Sequence, residues 1–401
     1  MRINLHKRFL ITFLSVWVLF GLTRCSTREM PSVEEAPTPL VVITDLYHPH
    51  QDPGDNLELI HAYTLPNIEL KAVLLDCHQP FLKEVATGVG KGLYEDPNGP
   101  RIPGYVNIEQ LNYIFHKQVP WGIGPLTPMK TARDRMTDQR YDETDGIELL
   151  RKTLELAEKP VNIASFGSAR ILAVAWNNYP GLMENKIKMI HLSAGTSGNH
   201  PTYLEWNVAL DTIAFHTLMQ SGLPITIYPC ASGKPVETQD RFANAFASDT
   251  NNTYYLLKDL SFLAKTDNRI RQYSEFVFSR EDTTRSLQKL EEEWAGNDEV
   301  FNRSQHVWET AIWMQLANQA LVTKPSGKVK IIPEREVTPH DSVFKEATVR
   351  CSIEVQPSGL FNYKYDENGD FYIYKRDDPN RYEQLMNKAI PEYYLEISSH
   401  Y

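Results

Sequence analysis

The sequence predicts an α/β protein with an open, mostly parallel sheet and helices on both faces, followed by a small β-rich C-terminal addition. Several short apolar runs have the length and composition of strands that are buried on both faces. Between the runs lie segments whose apolar residues recur at three- and four-residue intervals, a spacing typical of helices. The alternation of these two kinds of segment indicates strand–helix–strand units, which pair their strands in parallel.

Each element has its own signal along the chain. The strand candidates are residues 40–44, 72–75, 161–164, 189–192 and 225–228, and the helix candidates are 57–64, 146–157, 171–176 and 212–220. Residues 100–143 have no clear period, and we expect loops there over one edge of the site. Charges at helical spacing in 235–300 indicate a solvated helical face. Because ligands bind beyond the carboxyl ends of parallel strands, residues that follow the runs are the candidate site.

The C-terminal part has a different pattern. We expect the α/β domain to span residues 40–322 and a β-rich segment to span 323–401. Phe361, Tyr363 and Tyr365 alternate with polar residues, and after an acidic turn Phe371 and Ile373 do the same. Two alternating runs around a turn predict a β-hairpin.

The first 24 residues have the pattern of a secretory signal peptide. Arg2, Lys7 and Arg8 precede an uncharged, mostly apolar stretch at 9–22, which is too short to cross a membrane as a helix. The residues before Cys25 resemble the bacterial lipoprotein signal, in which the cysteine receives lipid. We therefore expect an exported chain that is anchored at the bacterial cell envelope through Cys25, with residues 25–39 as a flexible tether.

The composition is that of a folded, acidic protein. The chain has 41 Lys+Arg against 51 Asp+Glu, a net charge of -10, and 42% hydrophobic residues, which excludes disordered and fibrous proteins. Because nucleic-acid phosphates require clustered Lys and Arg, we expect no nucleic-acid partner. Cys77, Cys230 and Cys351 have neither zinc-site spacing nor the even number of a disulfide framework, so we predict buried thiols.

Three aspartates follow the first predicted strand and precede the first predicted helix: Asp45, Asp52 and Asp55. Taken singly, Asp55 could be a helix cap and Asp52 part of a turn. Together, three carboxylates repel one another unless a proton or a cation intervenes. A hard cation resolves this repulsion, and calcium fits because it accepts about six to eight oxygen ligands in loose geometry.

This stretch resembles the metal-binding loop of the nucleoside hydrolase family, the inosine-uridine preferring type, which reads Asp-x-Asp-Pro-Gly-x-Asp-Asp. Here Asp45 is followed by six residues and then by Asp52-Pro53-Gly54-Asp55-Asn56. The resemblance implies that Asp45, Asp52, Asp55 and Asn56 bind calcium. It also implies that either Asp45 or Asp52 is the general base, and that Asp55 contacts the substrate.

Further motifs resemble the family in the same order along the chain. Residues 160–173 resemble the strand and helix start where a backbone carbonyl binds the metal, which implies this role for Phe166. The segment from Glu205 through Asn207 to residue 211 resembles Glu-Phe-Asn-x-x-x-Asp, whose first and third residues hold ribose hydroxyls. On an extended chain Glu205 and Asn207 point to the same side. Asn199 lies in a Gly-Asn pair that also resembles the family.

Two segments depart from the family pattern. The second predicted strand ends in Asp76-Cys77-His78-Gln79 rather than Gly-Asn, which leaves Gln79 or Asp76 to contact the sugar. The family's late His-Asp-Pro helix start aligns with residues 305–314. There the resemblance implies that Glu309 binds the metal, that Trp308 stacks on a base, and that His306 acts near the leaving base.

The resemblance covers about residues 40–322. It implies hydrolysis of the N-glycosidic bond of ribonucleosides, or of a related ribosyl compound, by calcium-activated water. The expected partner is then a small-molecule substrate, and contact with the membrane is limited to the lipid anchor. The sequence does not determine the oligomeric state, and a homo-oligomer is one of the possibilities. The altered motifs leave two alternatives: a surface lipoprotein that binds a sugar or nucleoside without turnover, and a hydrolase for a different glycoside.

Overall fold

The structure is a computed structural model, and it describes residues 37–65, 67–82, 101–140, 144–234, 240, 242–278 and 286–399 of the 401. The predicted signal peptide, Cys25 and residues 25–36 of the predicted tether lie outside the described residues. Thr38 and Pro39, which we assigned to the tether, already belong to the first strand. The chain from Pro37 onward forms one compact unit. No helix in the described part is both long enough and apolar enough to cross a membrane.

The described residues contain sixteen strands. In chain order they are β1 (Thr38–Thr44), β2 (Tyr47–His48), β3 (Ile68–Leu75), β4 (Ile102–Pro103), β5 (Trp121–Ile123), β6 (Val161–Ser165), β7 (Ile187–Ser193), β8 (Ile225–Tyr228), β9 (Tyr255–Leu257), β10 (Gln305–Val307), β11 (Gln319–Thr323), β12 (Val329–Pro333), β13 (Ser342–Val343), β14 (Glu346–Val355), β15 (Phe361–Tyr365) and β16 (Phe371–Arg376).

Twelve α-helices accompany them in the same residues. They are α1 (Pro53–Thr64), α2 (Gln79–Leu82), α3 (Tyr105–Ile114), α4 (Asp145–Leu156), α5 (Arg170–Asn178), α6 (Pro180–Lys186), α7 (Trp206–Leu210), α8 (Thr212–Met219), α9 (Asn268–Phe278), α10 (Ser286–Glu291), α11 (Thr310–Leu316) and α12 (Pro379–Ser398). All five predicted strands and all four predicted helices are present, with bounds that differ by a few residues.

A nine-stranded sheet is the centre of the fold. Its strand order is β15-β14-β16-β8-β7-β6-β1-β3-β5. The strands from β16 to β5 pair in parallel, whereas β14 is antiparallel to both of its neighbours. The predicted mostly parallel sheet is therefore confirmed. Three small sheets, β10-β9, β12-β11-β13 and β2-β4, lie outside it.

Helices cover both faces of this sheet, as predicted. In β1, Leu40 and Val42 pack into one core with apolar residues of α1, α3, α9, α11 and α12. Val41 and Ile43 point to the opposite face and pack with α4, α5, α6 and α8. Because successive strand residues alternate between faces, a strand between two helical layers must be apolar throughout. This is why the apolar runs identified these strands.

The C-terminal segment is β-rich, as predicted, and it continues the central sheet. Strand β16 pairs in parallel with β8, and β14 and β15 extend the same edge. The predicted hairpin between β15 and β16 is wrong, because β14 lies between them and pairs with both. The segment then ends in the long helix α12, whose apolar residues join the larger core.

The region after the second strand is also more regular than predicted. Within its described part, residues 101–140, the chain forms helix α3 and strand β5, which pairs with β3 as the last strand of the sheet. The charged region behaves as expected, since Glu291, Glu292 and Glu293 are exposed at and after the end of α10. The three cysteines are buried thiols, which confirms that prediction.

Candidate active site

A cavity of about 330 Å³ lies beyond the carboxyl ends of β1, β6, β7 and β8. Parallel strands all present their carboxyl ends at this edge, so residues that follow different strands meet there. The residues that line the cavity are Asp45, Gln51, Asp52, Pro53, Asp55, Phe166, Ser193, Glu205, Trp206, Asn207, Cys230, Phe242, Ala245, Phe246, Gln305, His306, Trp308 and Glu309. Nine of the predicted site residues are therefore brought together at this one place.

Three of the acidic residues come from the first strand and helix. Asp45 follows β1, and Asp52 is the N-cap of α1, where its Oδ1 accepts a hydrogen bond from the Gly54 amide at 2.7 Å. The same oxygen accepts a bond from Gln305 Nε2 at 2.9 Å. Asp55 lies in the first turn of α1, where the positive end of the helix dipole favours negative charge.

The fourth acidic residue, Glu309, comes from a distant part of the sequence. It directly precedes α11, is 5% exposed, and accepts a hydrogen bond from the Trp308 amide at 3.1 Å. In the sequence, residues 305–314 align with a segment in which the histidine and the acidic residue open a helix. Instead, His306 is in strand β10, and the helix begins only at Thr310. His306 and Glu309 nevertheless reach the same cavity.

Burial raises the pKa of all four carboxyls, and repulsion by neighbouring carboxylates adds to this for Asp45, Asp55 and Glu309. Burial raises the pKa of Asp45 to about 7, with Asp76 and Asp52 adding repulsion, and burial raises that of Asp52 to about 6. Burial, followed by the negative charge of Asp52, raises the pKa of Glu309 to about 8. The pKa of Asp55 is also raised by burial and by the neighbouring carboxylates. An arrangement of this kind is stable only when protons or a cation compensate the charge.

The donor set fits a hard cation. The four carboxyl groups and the backbone oxygen of Phe166 are oxygen donors, as calcium and magnesium prefer. Neither Lys nor Arg is among the described residues that line the cavity, so no side chain there supplies permanent positive charge. Among the described residues, including those of this cavity, no group of three or more His, Cys, Asp or Glu side chains has an arrangement that could hold a metal ion.

Glu205 and Asn207 form another wall, at the start of α7. Glu205 is the N-cap of this helix and accepts bonds from the amides of Asn207 at 2.9 Å and Val208 at 3.3 Å, and from that of Gly195 at 2.8 Å. Asn207 Nδ2 donates to the backbone oxygens of Ser193 and Phe166, at 2.9 and 3.4 Å. The amide oxygen of Asn207 is not used in these bonds. Burial raises the pKa of Glu205 to about 7.

Aromatic rings form the remaining wall. The rings of His306 and Phe246 are stacked, with centroids 4.1 Å apart and an interplanar angle of 17°. Nδ1 of His306 is 3.0 Å from the Tyr254 hydroxyl, and burial lowers the pKa of this histidine. Trp308 is fixed by a bond from its Nε1 to the backbone oxygen of Cys230 at 2.8 Å.

Three predicted site residues do not line the cavity. Asn56 is buried in α1, where its Oδ1 accepts a bond from Asn107 Nδ2 at 2.7 Å and its Nδ2 donates to the Asp52 backbone oxygen at 3.3 Å. The structure therefore does not place Asn56 with the residues that line the cavity. Gln79 begins helix α2, and Asn199 is exposed in the loop after β7, so neither is placed to contact a ligand in this cavity.

Asp76, the other candidate for sugar contact, belongs to a buried network beside the cavity. Its Oδ2 accepts bonds from the Ser168 amide at 2.5 Å and from His78 Nε2 at 3.2 Å. Arg170 Nη2 is 3.0 Å from His78 Nδ1, and its Nε donates to Asp211 Oδ2 at 2.9 Å. His78 and Arg170 hold the pKa of Asp76 below its ordinary value, although burial alone would raise it.

The sequence interpretation missed several cavity residues. Phe242 and Phe246 are four residues apart, and this spacing of aromatic residues is a signal that could have indicated a shared apolar surface. Gln305 also lines the cavity, and it had no motif to identify it. Its role depends on a bond to Asp52, a residue that is remote in sequence.

Comparisons with known proteins show which proteins this chain is similar to. No protein-family model matches the chain. The pyrimidine-specific ribonucleoside hydrolase RihA of Escherichia coli O1:K1 / APEC is 35% identical over 185 residues, which are 44% of this chain and 57% of RihA. RihA of Salmonella enteritidis PT4 is 27% identical over 184 residues, with the same coverage. The chain thus spans a little over half the length of the curated relatives it matches.

Solved structures of similar proteins have low identity to this chain. The plant nucleoside hydrolase PpNRh1 is 15% identical, with a TM-score of 0.48, and the alignment covers 88% of this chain and 98% of that one. The inosine-uridine preferring nucleoside hydrolase of Bacillus anthracis is 10% identical, with a TM-score of 0.45 and coverage of 91% and 100%. Over the matched 185 residues, this chain is thus similar in sequence to pyrimidine-specific ribonucleoside hydrolases.

Proposed function

We propose that this protein hydrolyses the N-glycosidic bond of ribonucleosides, or of a related ribosyl compound. The observation that carries the proposal is a single cavity lined by four acidic side chains, the Glu205 and Asn207 pair, and aromatic rings. The similarity to pyrimidine-specific ribonucleoside hydrolases supports it. Cleavage of such a bond needs an activated water, a fixed sugar that can carry positive charge, and a stabilised leaving group. Each wall of the cavity offers one of these.

We propose calcium as the cofactor. Asp45, Asp52, Asp55, Glu309 and the backbone oxygen of Phe166 would hold it, since all five residues line the cavity. Bound calcium would supply positive charge that orients a water molecule and lowers its pKa. This charge would also compensate the repulsion that raises the pKa of these carboxyls.

The general base is Asp45 in this proposal. Oδ1 of Asp52 is already the acceptor for Gly54 and Gln305, so Asp52 is held in place by two donors. Asp45 interacts chiefly with Asp55 through its side chain. The Asp45 carboxylate is therefore better placed than that of Asp52 to accept a proton from water.

The chain's other residues fix the sugar and receive the base. Glu205 accepts hydrogen bonds from ribose hydroxyls, and the amide oxygen of Asn207, which is not used in its bonds to Ser193 and Phe166, accepts another. Burial keeps His306 neutral. When the Tyr254 hydroxyl donates to Nδ1, the hydrogen of His306 lies on Nε2 and can be donated to the departing base.

Release of free ribose from uridine, cytidine, inosine and adenosine, measured with added calcium, tests the proposal. We expect Asp45→Asn to reduce kcat by at least about a hundredfold, the usual contribution of a general base. Asp370→Asn, at an exposed aspartate of the same chain, is the matched control and should leave kcat unchanged. Absence of ribose release from all four nucleosides by the wild-type chain would contradict the proposal.

A second candidate function is binding without turnover. Asp52 accepts two hydrogen bonds through one oxygen, as a purely structural helix cap would. A binding protein would give a calorimetric signal with the same nucleosides and release no ribose. The same samples therefore separate the two candidates.

We also propose that the chain is exported and lipid-anchored at Cys25. The support is the basic and apolar pattern of residues 1–24. Incorporation of labelled fatty acid by the wild type, and its loss in Cys25→Ser, is the expected result. Equal labelling of both would contradict the anchor.

A further inference from the structure

The C-terminal strands contact two separate walls of the cavity. The ribose wall is defined here as the lining residues Glu205 and Asn207 together with Gly195, which donates to Glu205. The base wall is defined as the lining residues Phe246, His306 and Trp308 together with Tyr254, which contacts His306. We propose that β15 and β16 position these walls, Phe361 acting on the ribose wall and Arg376 on the base wall. The inference rests on the proposed nucleoside function, and it assigns a role to residues that the family resemblance does not cover.

Phe361 packs directly against Gly195. Phe361 is the first residue of β15 and is 1% exposed. Gly195 has φ +89°, and a Cβ atom built on it would collide with the Phe361 ring. The ring therefore fills the space above a backbone that only glycine adopts readily. The Gly195 amide donates to Glu205 Oε2 at 2.8 Å, so Phe361 acts through Gly195 on the carboxylate proposed to bind ribose.

Two more contacts join this part of the chain to segments next to the ribose wall. A Cβ atom on Gly359 would collide with Val208, a residue of helix α7, so the turn before β15 lies directly on that helix. Asn362 Oδ1 accepts a bond from the His200 amide at 2.8 Å. Since Glu205 caps α7 and Asn207 lies within it, the position of α7 determines the position of both proposed sugar ligands.

Arg376 holds the segment that carries Tyr254. It is 1% exposed at the end of β16. Its Nε donates to the Asp249 backbone oxygen at 3.1 Å, and its Nη2 donates to Asn252 Oδ1 and to the Tyr254 backbone oxygen, each at 2.9 Å. A charged, planar donor with three acceptors on one short segment fixes that segment more strongly than neutral bonds would.

Asn251 provides a second connection from the same segment to the C-terminal strands. Its Nδ2 donates to the Tyr374 backbone oxygen at 2.8 Å, and its Oδ1 accepts a bond from the Tyr363 hydroxyl at 2.9 Å. Tyr254, three residues later, is 3.0 Å from His306 Nδ1 through its hydroxyl. The position of the His306 ring therefore depends on β15 and β16.

The two sets of contacts are separate, and this makes the inference testable. A residue that only stabilises the fold would affect both walls or neither, whereas a positioning residue should affect one ligand. D-ribose is the probe for the ribose wall, and uracil and adenine are the probes for the base wall. Binding of each to the full chain with added calcium is measured by calorimetry, beside the melting temperature.

We expect opposite selectivity from two variants. Phe361→Leu should weaken D-ribose binding about tenfold and nucleobase binding less than about twofold, and Arg376→Gln should do the reverse, since one misplaced hydrogen-bond partner changes affinity by about tenfold. Arg376→Lys, which keeps the charge, should recover part of the nucleobase affinity. Glu354→Gln, at an exposed position of β14, is the matched control and should change neither.

Milder variants cover the case in which Arg376→Gln does not fold. Tyr363→Phe removes only the hydroxyl that bonds Asn251 and should weaken nucleobase binding alone, and Asn362→Ala should weaken ribose binding alone. Equal loss of both ligands, or values equal to those of Glu354→Gln, would overturn the inference. Failure of the wild type both to bind either ligand and to release ribose from the four nucleosides would instead overturn the proposed function, so the two failures are distinguishable.

Discussion

Arg170 connects the buried charges beside the cavity. Its guanidinium contacts Asp211, His78 and the backbone oxygens of Pro125 and Leu210, and it is fully buried. Asp211 caps α8 through a bond from the Ala214 amide at 3.0 Å. The network therefore links the end of β6, where Phe166 lies, to the turn between α7 and α8. The hydrogen bonds of this network therefore fix the relative positions of several elements around the site.

Removal of this guanidinium should be strongly destabilising. Arg170→Met leaves Asp211 buried without its cation, and we expect a loss of about 3–5 kcal/mol in the free energy of unfolding, the range for breaking one partner of a buried ion pair. Unfolding in urea measures the loss. Arg335→Met, at an exposed arginine, is the control and should change this free energy by less than about 0.5 kcal/mol. Similar values for both variants would show that the network contributes little.

At this scale the sequence identifies charged residues but not their partners. Asp45, Asp52 and Asp55 could be grouped because they are close in sequence and follow one strand. Asn56 was placed with them for the same reason, yet its amide is bound to Asn107 in α3, and only the fold brings these two together. His78 and Arg170 could not be paired in advance, since 92 positions separate them.

The strands differ in how far their sequence pattern determines which other strands they pair with. The five buried strands have both faces apolar, so each could be placed from composition alone. The alternating runs at β15 and β16 correctly predict two strands. The prediction that these strands form a hairpin rested only on their closeness in sequence, and it is wrong. Strand β14 has a mixed burial pattern and no regular alternation, and it takes the position between them. Tertiary packing decided this pairing, as it often does for strands with one exposed face.

The contact between β5 and α4 depends on two glycines. A Cβ atom on Gly122 would lie 2.9 Å from the Gly146 Cα, a backbone atom that cannot rotate away. We expect Gly122→Ala to lower the free energy of unfolding by about 1–3 kcal/mol through overpacking, measured in urea. Gly181→Ala, in helix α6 with no atom near its added Cβ, should instead raise it by up to about 1 kcal/mol. A neutral Gly122→Ala would mean that strand and helix separate easily.

For the whole molecule, sequence predicts the class of fold and most of the cavity. The strand order from β8 to β3 follows from the usual rules of parallel α/β units, and those rules also place the carboxyl ends together. Rules of this kind do not predict that the last strands return to the same sheet beside β8. The contacts of the C-terminal segment with residues 195–210 and 249–254 depend on this strand order. Local sequence patterns therefore could not predict these contacts.

The junction of the C-terminal strands with the sheet should make stability depend on pH. Glu346, in β14, is partly buried and accepts a bond from the Tyr374 hydroxyl, and Arg376 is the cation that faces it. Burial raises the pKa of Glu346 to about 7 from an ordinary 4.5. Between these values the folded chain holds a proton that the unfolded chain releases. The stabilisation is thus complete below about pH 4.5 and is lost as the pH rises toward 7.

A neutral side chain at this position should remove that dependence. Glu346→Gln cannot lose a proton, so relative to wild type its free energy of unfolding should rise between pH 5 and pH 8, by about 2 kcal/mol after allowance for partial exposure. Urea unfolding of both proteins at a series of pH values measures the difference, which cancels the titration of carboxyls common to both. Glu354→Gln in the same strand should give a constant difference across the range. If the difference in free energy of unfolding between Glu346→Gln and wild type were also constant with pH, Glu346 would be ionised in the folded protein without penalty. The charge of Arg376 would then be sufficient to stabilise the ionised carboxylate.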